Sequence, residues 1–284
     1  MTRIAAAYIA ACLIELDALK PGNVHRYADG HGMAVADFET SARVSAPAVA
    51  RPGERVGARV LDAVKATRAA VGQNTNLGVV LLCAPLAAAA EGSEPLSAGV
   101  RRVLAALDLD DARAIFAAIA TADPGGLGSA ERYDVREPAK APLREAMSVA
   151  ADRDLVARQY EDDFAEVLGF GLRAHASARA AGAGVVDATA AVYLEFLATY
   201  PDSHIARKFG LETAEAVRRD AAARARRLAG LRDPSARLAE LSAWDAVLKS
   251  RGLNPGTCAD LTVATVFAAY LSSDDEWLAA SAQQ

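Results

Sequence analysis

The stretch TCADLTVATVFAAYLS, residues 257–272, sets the class of fold. Its apolar residues Val263, Val266, Phe267, Tyr270 and Leu271 recur at steps of three and four, which is one stripe of an α-helix. Thr257 and Asp260 stand three apart at its start, the spacing of a capping box, and Asn254-Pro255-Gly256 breaks the chain just before it. The same period returns upstream, where Leu96, Val100, Val103, Leu104 and Leu107 share a stripe. Followed along the chain, it predicts helices near 3–19, 36–50, 54–70, 77–91, 96–107, 110–121, 141–150, 154–180, 185–199, 211–229, 234–250 and 257–272. No segment alternates apolar and polar residues long enough to make a strand, and no fixed period marks a repeat array. The expectation is an all-α protein, a single compact multi-helix domain over 1–284, with polar Gly/Pro loops converging on one site.

Composition agrees. Of 284 residues, 69 are alanine and 52% are hydrophobic, which suits helices and is enough for a sizeable core. That apolar content excludes disorder, and three Cys exclude a disulfide scaffold. A net charge of −5 weighs against a nucleic-acid binder. The longest apolar run, Leu77 to Ala90, contains Pro85 and is too short to cross a bilayer, so no membrane partner is expected. The N-terminus mimics a signal peptide, but Glu15 and Asp17 follow the apolar stretch at once and no small-residue cleavage site appears. With Cys12, Cys83 and Cys258 all set among small or apolar residues, the expected location is the cytoplasm.

The breaks between helices carry the chemistry. Lys20-Pro21-Gly22-Asn23-Val24-His25-Arg26 ends the first helix and offers cations, an amide and an imidazole; it reads either as a C-cap or as an anion contact. Asn74-Thr75-Asn76-Leu77-Gly78 either caps the helix that follows or presents neutral ligands beside its N-terminus. Asp123–Gly128 is glycine-rich but is neither a P-loop nor a dinucleotide fingerprint; Glu131 and Asp134 nearby are candidates for a divalent cation on a polyphosphate. In Asp202–Lys208, Asp202 or Ser203 suits an N-cap after Pro201. Arg207 and Lys208, two cations close to a helix start, oppose the dipole there, which argues for function. His25, Asp29 and His31 have metal-ligand atoms at short spacing, without an HExxH pattern or a Cys partner.

Together these loops resemble a known family. KPGNVH at 20–25, DFxxS at 37–41, NTNLG at 74–78, GGLG at 125–128, SHIARK at 203–208 and NPGTCADL at 254–261 match, in order, motifs of the triphosphoribosyl-dephospho-CoA synthases. The resemblance implies an all-helical transferase that takes ATP and 3′-dephospho-CoA, moves the triphosphoribosyl group to a ribose hydroxyl, and releases adenine. Two motifs depart from the pattern. His25 stands where citrate-lyase members tend to carry a carboxylate, and Asn76-Leu77 replaces a His-Lys pair. In this the chain looks more like the divergent branch of archaea and of bacteria with methanopterin-type one-carbon carriers.

On that resemblance, Lys20, Arg26, Arg207 and Lys208 are expected at phosphates, with Asn23, Asn74, Thr75, Asn76 and Ser203 completing the substrate site. Mg²⁺ with the ATP is expected on Asp134, Asp202 and Asp260, and His25, His204 or Asp202 in catalysis. The expected partners are small molecules, and the Ala-rich helical surface allows a homodimer. Competing readings are an ATP-using transferase of one-carbon cofactor biosynthesis with another acceptor, and a non-catalytic helical pathway partner.

Overall fold

A computed structural model describes residues 1–125, 132–231 and 233–273. The Gly126–Gly128 part of the glycine-rich motif and Glu131 lie outside the described residues. The helices are α1 (Arg3–Asp17), α2 (Val35–Val49), α3 (Val56–Val71), α4 (Leu77–Ala89), α5 (Leu96–Ala105), α6 (Leu109–Ala122), α7 (Leu143–Ser148), α8 (Leu155–Glu161), α9 (Leu172–Ala180), α10 (Val185–Thr199), α11 (Ser203–Phe209), α12 (Leu211–Gly230), α13 (Pro234–Ser250) and α14 (Gly256–Ser272). A π-helical turn, Ala165–Gly171, joins α8 to α9. Among the described residues the only β-pairings are isolated bridges, His25 with Ala28 and Gly30 with Met33. The class is all-α, as the period predicts.

Two helices are apolar on nearly every side, and such helices belong at the centre. In α4 every residue but Gly78 and Ala88 is buried, and α14 is buried from Thr257 to Phe267 except at Asp260. The α14 helix packs against α1, α4, α9, α10 and α11. Around this pair, α1, α2, α3 and α6 pack in succession on one side, and α9, α10 and α12 on the other. One contiguous apolar cluster runs through them, from Ala5 to Tyr270. Asp residues cap the starts of α6, α8, α11 and α13, each carboxylate accepting from backbone N–H groups that the first helical turn leaves unpaired.

Two expectations need correction. The expected helix 154–180 is interrupted. Asp163 and Phe164 take left-handed backbone (φ 52° and 61°), after which the chain re-enters as the π-turn. The cause is long-range. Gly171 lies so close to α14 that a Cβ there would overlap Thr265 Oγ1, and Gln159 donates to Glu166 Oε2 at 2.7 Å across the break. The second concerns α14, which begins at Gly256 with Pro255 as N-cap and no side-chain cap bond. Thr257 and Asp260 therefore form no capping box, and the Asp260 side chain is released for another use.

Candidate active site

A cavity of about 910 Å³ opens where the loops meet. Its floor is the start of α14. Asn23 donates to Asn254 Oδ1 at 2.8 Å, tying the 20–26 loop to that segment. Gly22 (φ 88°) lies so close that a Cβ would stand 2.8 Å from Pro255 Cδ and 2.9 Å from the Leu253 carbonyl, so only glycine fits. The Asp202 carboxylate accepts from Cys258 N at 2.8 Å, which ties in the α11 loop. A Cβ on Gly78 would overlap the Asp260 carboxylate, so that glycine lets the α4 N-terminus approach α14. Ser41 of the DFxxS motif meets the Thr75 hydroxyl. Gly125 faces Lys208, with a would-be Cβ 3.1 Å from Lys208 Cε. The expected convergence is present.

Asn23, Asn74, Thr75, Asn76, Asp134, Ser203, His204, Arg207, Lys208 and Asp260 all line the cavity. Asn74 Oδ1 accepts from Leu77 N at 3.1 Å and so also caps α4, while Asn76 donates to Ser45 Oγ at 3.3 Å. Ser203 Oγ accepts from Leu155 N at 2.9 Å, which makes it an anchor for α8 as well. Asp134 is held by Arg136 at 2.7 Å. Arg207 donates to Asp154 Oδ2 at 3.2 Å. Lys208 has no carboxylate within ion-pair distance among the described residues.

Four residues are placed elsewhere. Lys20 is wholly buried behind the wall, its ammonium donating to Glu15, Asn23 and the Val24 carbonyl, so no proton is left for a phosphate. His25 is buried against Asp245 at 3.3 Å and does not line the cavity. Arg26 sits on the outer surface, paired with Asp17 and Glu39. Asp202 is fully buried; one oxygen caps α11 through Ile205 N at 3.0 Å and the other holds Cys258 N. Its carboxylate joins two helix starts and does not line the cavity. His31 lines the cavity with its Nε2 2.7 Å from the Gly22 carbonyl oxygen, away from buried His25. Among the described residues no group of three or more His, Cys, Asp or Glu is set to hold a metal alone.

Electrostatics separate the remaining groups. Asp260 has no hydrogen-bond partner among the described residues; burial, with Asp202 and Glu15 nearby, pushes its carboxyl well above the usual range. Burial and the Lys208 and Arg207 cations hold His204 down to about 4, and its Nε2 is buried without a partner. His204 is therefore a neutral imidazole at pH 7, suited to accept or donate a single hydrogen bond. Sequence reasoning missed Glu15, Cys12, Arg68, Arg153 and Asp154, which also line the cavity. Cys12 and Glu15 lie one turn apart on α1, a shared face that helix period alone makes legible.

The profile of the ATP:dephospho-CoA triphosphoribosyl transferase (CitG) family matches residues 1–278. Among solved structures, a candidate triphosphoribosyl-dephospho-CoA synthase from Archaeoglobus fulgidus is similar in fold, with a TM-score of 0.64 and 27% identity. That match covers 82% of this chain and 98% of the archaeal one. No curated protein matches the sequence significantly. No helix among the described residues is long and apolar enough to cross a membrane. A family match over nearly the whole chain, on a fold whose motif loops meet in one cavity, shows that this chain is a transferase of the ATP:dephospho-CoA triphosphoribosyl transferase family.

Proposed function

We propose that the cavity binds ATP and moves its triphosphoribosyl group to a ribose hydroxyl of 3′-dephospho-CoA, releasing adenine, as one catalytic domain. The observation that carries this reading is the cavity itself. Arg207 and Lys208 stand in the last turn of the seven-residue α11, where cations suit the dipole, so the expected opposition to it is corrected. Arg207 keeps Asp154 as its partner, while Lys208, Arg68 and Arg153 line the cavity with no carboxylate partner among the described residues. Unpaired cations in a concave wall suit a polyphosphate. The amides Asn23, Asn74 and Asn254 supply neutral partners for ribose and base. Neutral His204 is the side chain suited to hydrogen-bond departing adenine.

Magnesium fits as an ion that arrives with the nucleotide. It is usually bound by one or two carboxylates plus substrate phosphates, and Asp260 offers a carboxylate without a hydrogen-bond partner. When bound, the ion would offset triphosphate charge; positioning by Asn74, Arg207 and Lys208 supplies the rest of the chain's contribution. The cytoplasm supplies ATP and keeps Cys12, Cys83 and Cys258 reduced, and the helical surface leaves room for a homodimer.

The test is chromatographic detection of free adenine after incubation with Mg·ATP, with and without dephospho-CoA. Adenine released only with dephospho-CoA supports the reading, and EDTA should abolish it. Absence of both adenine and ATP binding by calorimetry would sink it. A second reading, a different acceptor, is favoured by Leu77, which is buried in the first turn of α4 where the resembled motif carries a charged side chain. Adenine release with another acceptor, but none with dephospho-CoA, would select it.

A further inference from the structure

The cavity wall holds a carboxylate that no step above uses. Glu15, in the last turn of α1, is 6% exposed yet lines the cavity. Its Oε1 pairs with Lys20 Nζ at 2.9 Å, while Oε2 has no hydrogen-bond partner among the described residues. Lys20 is 0% exposed, and its remaining protons go to Asn23 Oδ1, at 3.1 Å, and to the Val24 carbonyl. Burying a Lys–Glu pair carries a desolvation penalty of several kcal/mol per ion, and apolar side chains of the same volume often serve stability as well. That penalty makes a use beyond stability the reading to test.

Its surroundings indicate which use. The groups that act electrostatically on or with Glu15 are Lys20, Cys12 one turn back on α1, Tyr193 from α10 and Asp260 from α14. Only Lys20 among them is a cation. Arg207 acts on Asp260 and, with Lys208, on His204. Glu15 thus lines the cavity with Lys20 as its one ion-pair partner and pairs with none of Arg68, Arg153, Arg207 and Lys208, which suits it to an uncharged hydroxyl and not to a phosphate. Burial lifts its carboxyl above the usual range, which strengthens it as a proton acceptor, and Lys20 opposes that lift and favours the ionised form.

On the reading that the cavity transfers a triphosphoribosyl group, we propose that Glu15 is the catalytic base for the acceptor's attacking hydroxyl and that buried Lys20 is the positioning residue that holds it. The hydroxyl oxygen bonds to C1′ of the ATP ribose as its proton passes to Glu15 Oε2. The C1′–N9 bond breaks with its electron pair going to adenine, which takes a proton from solvent. Glu15 then returns its own proton to solvent, so the balance closes.

The test compares wild type, Glu15→Gln, Lys20→Met and the double variant, using Mg·ATP and the acceptor that supports adenine release. Glu15→Gln should lower kcat by about 10²–10⁴-fold, the usual share of general-base catalysis, with ATP affinity by calorimetry unchanged. Because that variant leaves Lys20 buried and unpaired, the double variant removes both charges; it should melt near wild type and remain equally slow. Lys20→Met should move the acid limb of the kcat–pH profile to higher pH, because the cation that favours ionised Glu15 is gone. A lysine that served the fold alone would lower the melting temperature and leave the limb in place. A folded double variant with kcat within about tenfold of wild type would overturn Glu15 as base, since that loss is below the general-base range. A fixed acid limb would overturn the role of Lys20. If wild type releases no adenine with any acceptor, the underlying reading fails first and takes this one with it.

Discussion

At the scale of single residues, the same side-chain chemistry serves two ends, and burial decides which. Asp202 and Asp260 are both carboxylates beside the first turn of α14, yet Asp202 accepts from Ile205 N and Cys258 N while Asp260 has no hydrogen-bond partner among the described residues. Asp202→Ala strands two buried donors, so it should cost about 1–3 kcal/mol per unsatisfied group in urea unfolding. Adenine release per folded molecule should change little, since the carboxylate does not line the cavity. Gly78→Ala should do the reverse. Its methyl group would overlap the Asp260 carboxylate and turn it away, so activity and Mg·ATP affinity fall sharply while stability drops by only about 1–3 kcal/mol, as for overpacking. Lys20, His25 and Asp202 show the limit of reading residue types from sequence. The loop chemistry is visible in KPGNVH, but whether a Lys faces the ligand or braces the wall behind it depends on neighbours far along the chain, such as Asp245 for His25.

At the scale of elements, local period made most helices legible. The α10, α13 and α14 helices lie within a residue of their expected bounds, and Asp202 after Pro201 announced the start of α11. What stayed hidden has non-local causes. The split of 154–180 into α8, the π-turn and α9 rests on Gly171 packing against Thr265, whose hydroxyl is committed to the Leu261 carbonyl at 2.8 Å. Gly171→Ala should therefore lower stability by about 1–3 kcal/mol, because that buried rotamer cannot swing aside. Urea denaturation checks the magnitude. Activity measured well below the midpoint should persist, since neither Gly171 nor Thr265 lines the cavity.

At the scale of the whole molecule, ligand and proton binding are linked through His204. Its imidazole is held down to about 4 by burial and by Lys208 and Arg207, so in the range from about 6.5 down to 4 the unfolded chain binds a proton that the fold refuses. Stability from this group is thus complete above pH 6.5 and falls as pH drops toward 4; His204→Gln should flatten that part of a melting-temperature profile. Triphosphate on the same cations relieves their repulsion, so ATP binding near pH 5 should draw in protons. Calorimetry in buffers of different ionisation enthalpy measures that uptake, which His204→Gln should abolish. The dependence of three of the loops on the start of α14 has a consequence in time. The 20–26 loop, the start of α4 and the start of α11 lean on a segment synthesised after all of them, at 254–260. On the ribosome the earlier helices emerge and pack first, so the nascent chain should lack a complete nucleotide site until this late helix packs. Competence should be gained only once residues 254–260 have emerged, and a product truncated before α14 should fail to retain ATP on a nucleotide-affinity resin.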